Sequence, residues 1–198
     1  MAETRVDTII RGGRVVSSSQ VFEASVAIKG EKIAAVGPEQ LLPKAERYID
    51  AEGKFVLPGL IDSHVHLDGH DDYALGALAA AHAGLTTLVP FGNYALEGDE
   101  TLDEAVRRIQ DEVGTAALVD FGFHFILQNR PSILESLPKA MELGIKSFKM
   151  FMTYKKRPGR MCDDDYICNA MEMVATVSYT HLRAHETDSY LVCRLLLE

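Results

Sequence analysis

Cysteine is scarce in this sequence. Cys162, Cys168 and Cys193 are its three cysteines, too few for a disulfide framework and without Cys-x-x-Cys spacing. That usage suits a reducing compartment, and a cytoplasmic location is expected. Long apolar runs are also missing: nothing approaches the roughly 20 residues needed to span a bilayer. The stretch Met1–Asp7 lacks a basic start followed by an apolar segment, so no signal peptide is expected. No Lys/Arg-rich block occurs, and 20 basic residues stand against 29 acidic ones, for a net charge of −9. That balance argues against nucleic acid and against an anionic membrane surface as partners. Hydrophobic residues at 47% and charged residues at 25% exclude disordered, collagen-like and coiled-coil chains.

Two grammars follow each other along the chain. Residues 1–55 read as a small β-module. Val6–Ile10, Arg14–Val16, Val21–Phe22, Val26–Ile28 and Ile33–Gly37 are short β-rich runs, separated by a Gly12-Gly13 turn and a Lys29–Lys32 turn. Residues 49–54 followed by Phe55–Leu57 predict a further strand pair. From residue 56 to 177 strands and helices alternate. Strands are expected over 60–66, 86–90, 116–125 and 145–152. Helices are expected over 72–83, 101–113, 131–143 and 163–176. Gly84, Gly114 and Gly144 stand where helices should end, and Thr101 with Glu104 forms a capping-box signal. Four strand–helix repeats imply a parallel sheet with crossover helices. A complete (β/α)8 barrel needs about 250 residues, so the expected fold is α/β: the first half of a TIM-type barrel preceded by a small β-sandwich module.

His64-Val65-His66 carries the chemistry. Residues i and i+2 of a strand share a face, so two imidazoles at the C-terminal end of one strand can bind one metal, at the end where barrel enzymes keep their sites. Alone, the pair could equally be two polar residues at a strand end; the preceding Pro58-Gly59-Leu60-Ile61-Asp62 and the strand–helix repeat after it favour ligands. Lys149 sits in Phe148-Lys149-Met150-Phe151-Met152, where an unpaired inward lysine would be costly.

Leu57–Asp68 resembles the first-strand signature of the amidohydrolase superfamily. Ser147–Lys155 resembles the fourth-strand signature of its cyclic amidases, the dihydropyrimidinases and hydantoinases, and Phe121–Phe125 and Arg157–Cys162 are similar to that branch as well. The resemblance covers residues 6 to about 176. It implies two divalent metal ions, usually zinc, held by His64, His66 and a CO2-derived carbamate on Lys149. Carboxylation needs the neutral amine, which burial favours. It implies that Tyr154 donates a hydrogen bond to the developing oxyanion. It also implies hydrolysis of a small cyclic amide or imide, a dihydropyrimidine or hydantoin, to an N-carbamoyl amino acid. A homotetramer is implied for the full-length form. The general-base aspartate and the remaining ligands belong to later barrel strands that this stretch does not supply, so this chain by itself is expected to be inactive.

His181 and His185 fall near the position at which the resemblance implies a further ligand, but neither stands in His-x-Glu spacing, and neither is expected to bind metal. Residues 178–198 are similar to translated sequencing-adapter read-through, and a non-native tail is expected there. Asp68, His70, His82 and the run Asp163–Asp165 are expected to play no direct part, whereas His124 either reaches the barrel mouth or packs in its wall. Two other readings share the scaffold. A non-catalytic dihydropyrimidinase-related assembly protein is disfavoured by the presence of His64, His66 and Lys149. An allantoinase-like enzyme is disfavoured by Tyr154.

Overall fold

A computed structural model describes residues 5–67, 72–92, 99–175 and 181–185, the last by their backbone. The chain divides into two compact units, Met1–Gly59 and Leu60–Glu198.

In the first unit two successive glycines decide the course of the longest strand. β1 (Val6–Val16) is one strand bent by a bulge, with its register to β2 (Val21–Lys29) shifting between Ile10 and Gly13. The sequence reading of Gly12-Gly13 as a turn between two strands is therefore corrected. Gly12 takes φ +72°, open to glycine without cost. A Cβ on Gly13 would come within 2.6 Å of Val56 Cγ2. β2 pairs antiparallel with β3 (Lys32–Gly37), through a turn pinned by Asp7, whose carboxylate accepts from Lys29 Nζ at 2.5 Å and Gly30 N–H at 2.6 Å. β4 (Ala45–Asp50) and β5 (Phe55–Val56) do not pair with each other as expected, since both run parallel to β1. The order is β3-β2-β1-β4, with β5 also on β1, so among the described residues the module is one sheet. Val6, Ile9 and Ala27 form its small core.

The second unit is a parallel sheet with helices between its strands. Its elements are β6 (Leu60–Val65), α1 (Tyr73–His82), β7 (Leu85–Gly92), α2 (Leu102–Ala116), β8 (Asp120–Phe121), β9 (His124–Ile126), α3 (Pro131–Glu142), β10 (Ser147–Phe151), α4 (Asp164–Ala175) and β11 (His181–His185). The strand order is β11-β10-β9-β7-β6, with β8 on β7. Each helix start has a visible cause. Asp72 caps α1 by accepting from Leu75 N–H at 2.6 Å. Glu104 reaches back to Thr101 N–H at 2.9 Å in the capping box of α2. Pro131 opens α3, and Asp163 accepts from Tyr166 N–H at 2.9 Å ahead of α4. Leu102, Ala105, Val106, Ile109 and Val113 form the buried stripe of α2, packed with Ile133, Leu137 and Ala140 of α3 in one core that also holds Phe125 and Phe148.

Three expectations change. α2 runs through Gly114 to Ala116; Gly114 is absent from the left-handed glycines, which include Gly84 at φ +82° and Gly144 at φ +97°. The strand expected over 116–125 is two short pieces, β8 and β9, interrupted at Gly122-Phe123, where Gly122 N–H donates to Leu88 O at 2.9 Å. The alternation, expected to stop near 177, runs one strand further, because β11 pairs in parallel with β10 from Ser147↔His181 to Phe151↔His185. The sheet curls. His124 on β9 reaches the carbonyl of Ser63 on β6, although β7 lies between them.

Candidate metal centre

Phe91, at the end of β7 and 2% exposed, is the hub on which the site is assembled. His66 stacks on its ring at 4.8 Å between centroids and 16° between planes. His64 meets it edge-on at 4.7 Å. The two imidazoles are 5.6 Å apart, His64 within β6 and His66 just past its end. Lys149, on β10 and only 5% exposed, brings its Nζ to 4.4 Å from the Phe91 centroid and 4.9 Å from that of Phe151. His124 adds its ring at 5.0 Å from Phe91. Residues of four strands thus converge at one sheet end. Local bonds fix their carriers: Asp62 accepts from His64 N–H at 3.0 Å, and Leu127 N–H donates to Lys149 O at 2.8 Å.

Tyr154 stands beside this cluster. Its ring meets Phe151 edge-on at 5.2 Å, and the Arg157 guanidinium lies 5.2 Å from its centroid. It is 41% exposed and adopts φ +70°, the only non-glycine residue with positive φ among the described residues. The loop that carries it is tied down beyond Tyr154. Cys162 N–H donates to Phe151 O at 2.7 Å, and Asn129 N–H to Gly159 O at 2.9 Å. Beneath it, burial pushes the Cys162 thiol up to about 11. Burial likewise raises Tyr166, whose hydroxyl donates to Gln128 O at 2.6 Å.

The structure therefore brings His64, His66 and Lys149 together and sets Tyr154 one ring away. His82 lies exposed on α1. Asp68 and His70 lie outside the described residues. His181 and His185 are placed by backbone alone, opposite Ser147 and Phe151. Among the described residues no three His, Cys, Asp or Glu side chains form a metal cluster. His64, His66 and the buried Lys149 all meet the Phe91 ring, and the two imidazoles are neutral nitrogen donors of the kind that divalent metals take. Sequence reasoning missed Phe91, because the strand was expected to end at Pro90. It also passed over Ser147, although Ser147 and Lys149 share the i, i+2 face.

Comparison with known proteins identifies the family. An amidohydrolase family model matches residues 47–111. The D-hydantoinase of Ralstonia pickettii is 35% identical over 193 residues, covering 93% of this chain and 41% of that protein. A solved D-hydantoinase structure superposes with a TM-score of 0.79 at 33% identity, over 91% of this chain and 40% of the other. The dihydropyrimidinase of Brevibacillus agri gives 0.77 at 33% identity, over 90% and 39%. The chain belongs to the amidohydrolase superfamily and, within it, to the hydantoinase–dihydropyrimidinase family. That family is generally dependent on two bound metal ions. This chain spans about two fifths of the length of the D-hydantoinase it matches. Among the described residues no helix is long and apolar enough to cross a membrane.

Proposed function

We propose that this chain carries part of the metal site of a cyclic amidase, one that opens the ring amide of dihydropyrimidines or hydantoins to give N-carbamoyl amino acids. The observation behind the reading is the convergence of His64, His66 and Lys149 on Phe91. His64 and His66, with Lys149 as its carbamate, would hold two divalent ions, zinc in this reading, which supply Lewis acidity and a water of lowered pKa. The chain's own residues prepare that site. The neutral Nζ of Lys149 bonds to the carbon of CO2 and releases one proton to solvent, turning an amine into an anionic two-oxygen donor. The Phe91 and Phe151 rings exclude water from one side of it. Phe91 also fixes both imidazole planes, so little ordering is left for binding. In this reading Tyr154 donates its phenolic O–H to the carbonyl oxygen as negative charge grows there.

The test uses the 198-residue chain. Incubated with zinc and carbon-13 bicarbonate, it is expected to retain metal on desalting and to give a carbamate carbonyl resonance. Lys149→Ala should abolish the resonance, and the double change His64→Ala, His66→Ala should abolish retention. Metal retention indifferent to all three substitutions would refute the reading. Residues 178–198 are kept in this proposal as a non-native tail. One long read of the source DNA across codons 165–198 decides that, and a read reproducing the tail up to a stop codon overturns it.

A further inference from the structure

His124 uses both ring nitrogens on opposite sides of the site. Nε2 lies 3.0 Å from the carbonyl oxygen of Ser63, and Nδ1 is hydrogen-bonded to Oγ of Ser147. A carbonyl oxygen only accepts, so Nε2 carries the hydrogen, and the Ser147 hydroxyl can donate to Nδ1. The two partners are not incidental. Ser63 immediately precedes His64, and Ser147 lies two residues before Lys149, on the same face of β10. β6 and β10 are not neighbours in the sheet, since β7 and β9 lie between them. Backbone ladders fix the spacing of adjacent strands, but curl accumulates over several strands and leaves their span across the concave side to side chains.

We infer that His124 is a positioning residue, a strut that sets the distance between the strand bearing the two imidazoles and the strand bearing Lys149. This rests on the metal reading above for its purpose and on the hydrogen bonds alone for its geometry. A ring that merely packed would not need a fixed tautomer, and any residue of similar volume would replace it. A strut demands a donor at the Nε2 position. Partners that orient metal ligands typically change affinity by about 10- to 100-fold when removed.

The experiment has two arms on the 198-residue chain. Nitrogen-15 imidazole spectra are expected to show His124 as the Nε2–H tautomer; the Nδ1–H tautomer overturns the strut. Zinc affinity, measured by competition with a chromophoric chelator, is expected to fall about tenfold or more in His124→Phe. It should recover in His124→Gln, whose amide N–H can reach the Ser63 carbonyl. Circular dichroism and the thermal midpoint accompany each variant. Should His124→Phe fail to fold, Ser147→Ala replaces it, removing one anchor, with loss of affinity again expected. Zinc affinity unchanged in the folded variants overturns the strut alone. No zinc binding by the unsubstituted chain overturns the metal reading and the strut's purpose with it.

Discussion

Two cysteines six positions apart show how burial divides chemistry at the scale of a residue. Cys162 is buried, with Sγ directed to Leu127 O at 3.4 Å, whereas Cys168 is exposed on α4. At pH 8 iodoacetamide should alkylate Cys168 and leave Cys162 untouched in the folded chain; peptide mass mapping reads this directly, and equal labelling would contradict the packing. The pH sign follows from the same burial. The unfolded thiol ionises near 9.0 and the folded one near 11. The stability that rests on the protonated thiol is therefore complete below about 9 and is lost as pH rises toward 11. Phe91 offers a second prediction. Its ring is shared by His64, His66, His124 and Lys149, so Phe91→Ala should cost about 3–5 kcal/mol in urea unfolding and weaken zinc retention together.

At the scale of elements, local rules were readable wherever the cause was local. Asp72, Thr101 with Glu104, and Pro131 all start the helices they announce. Gly84 and Gly144 end theirs in left-handed turns, but Gly114, the same residue type, ends nothing. Glycine marks a C-terminus only where it takes the left-handed turn, which Gly114 does not, and α2 runs on to Ala116. Strand limits were less legible, because pairing rather than propensity decides them: β9 begins at His124, where β7 at Phe91 offers it a partner. Gly92 shows the tolerance of such a junction. A Cβ there would lie 2.9 Å from Phe125 Cζ and 3.0 Å from Ile109 Cδ1. Gly92→Ala should destabilise by about 1–3 kcal/mol, lowering the urea midpoint; an unchanged midpoint would mean that the core between β7 and α2 is looser than described. Between helices, Ser136 Oγ accepts from Leu102 N–H at 3.0 Å inside the core, and Ser136→Ala should cost about 1–3 kcal/mol by stranding that donor.

For the whole molecule, the half-barrel and its two imidazoles could be read from repeats and from a short motif, yet the convergence on Phe91 could not. It depends on the register of strands distant in sequence and on curl carried across β7, neither of which any single segment encodes. The open sheet has its own consequence. β6 is an edge strand of the described sheet, with Leu60 55% and Ile61 66% exposed, and unprotected apolar edges invite pairing with other chains. Light scattering of the concentrated chain should rise with time, and Leu60→Lys with Ile61→Lys should suppress it; equal scattering from the variant would place the sticky surface elsewhere. The backbone of Tyr154 points to a different tension. A left-handed tyrosine is held against its own preference, at a cost on the order of 1–3 kcal/mol, and glycine or asparagine would sit there more easily. A library of variants sorted only for heat resistance should thus drift toward those residues at position 154. Such a library would grow sturdier while discarding the phenol on which the proposed oxyanion contact depends.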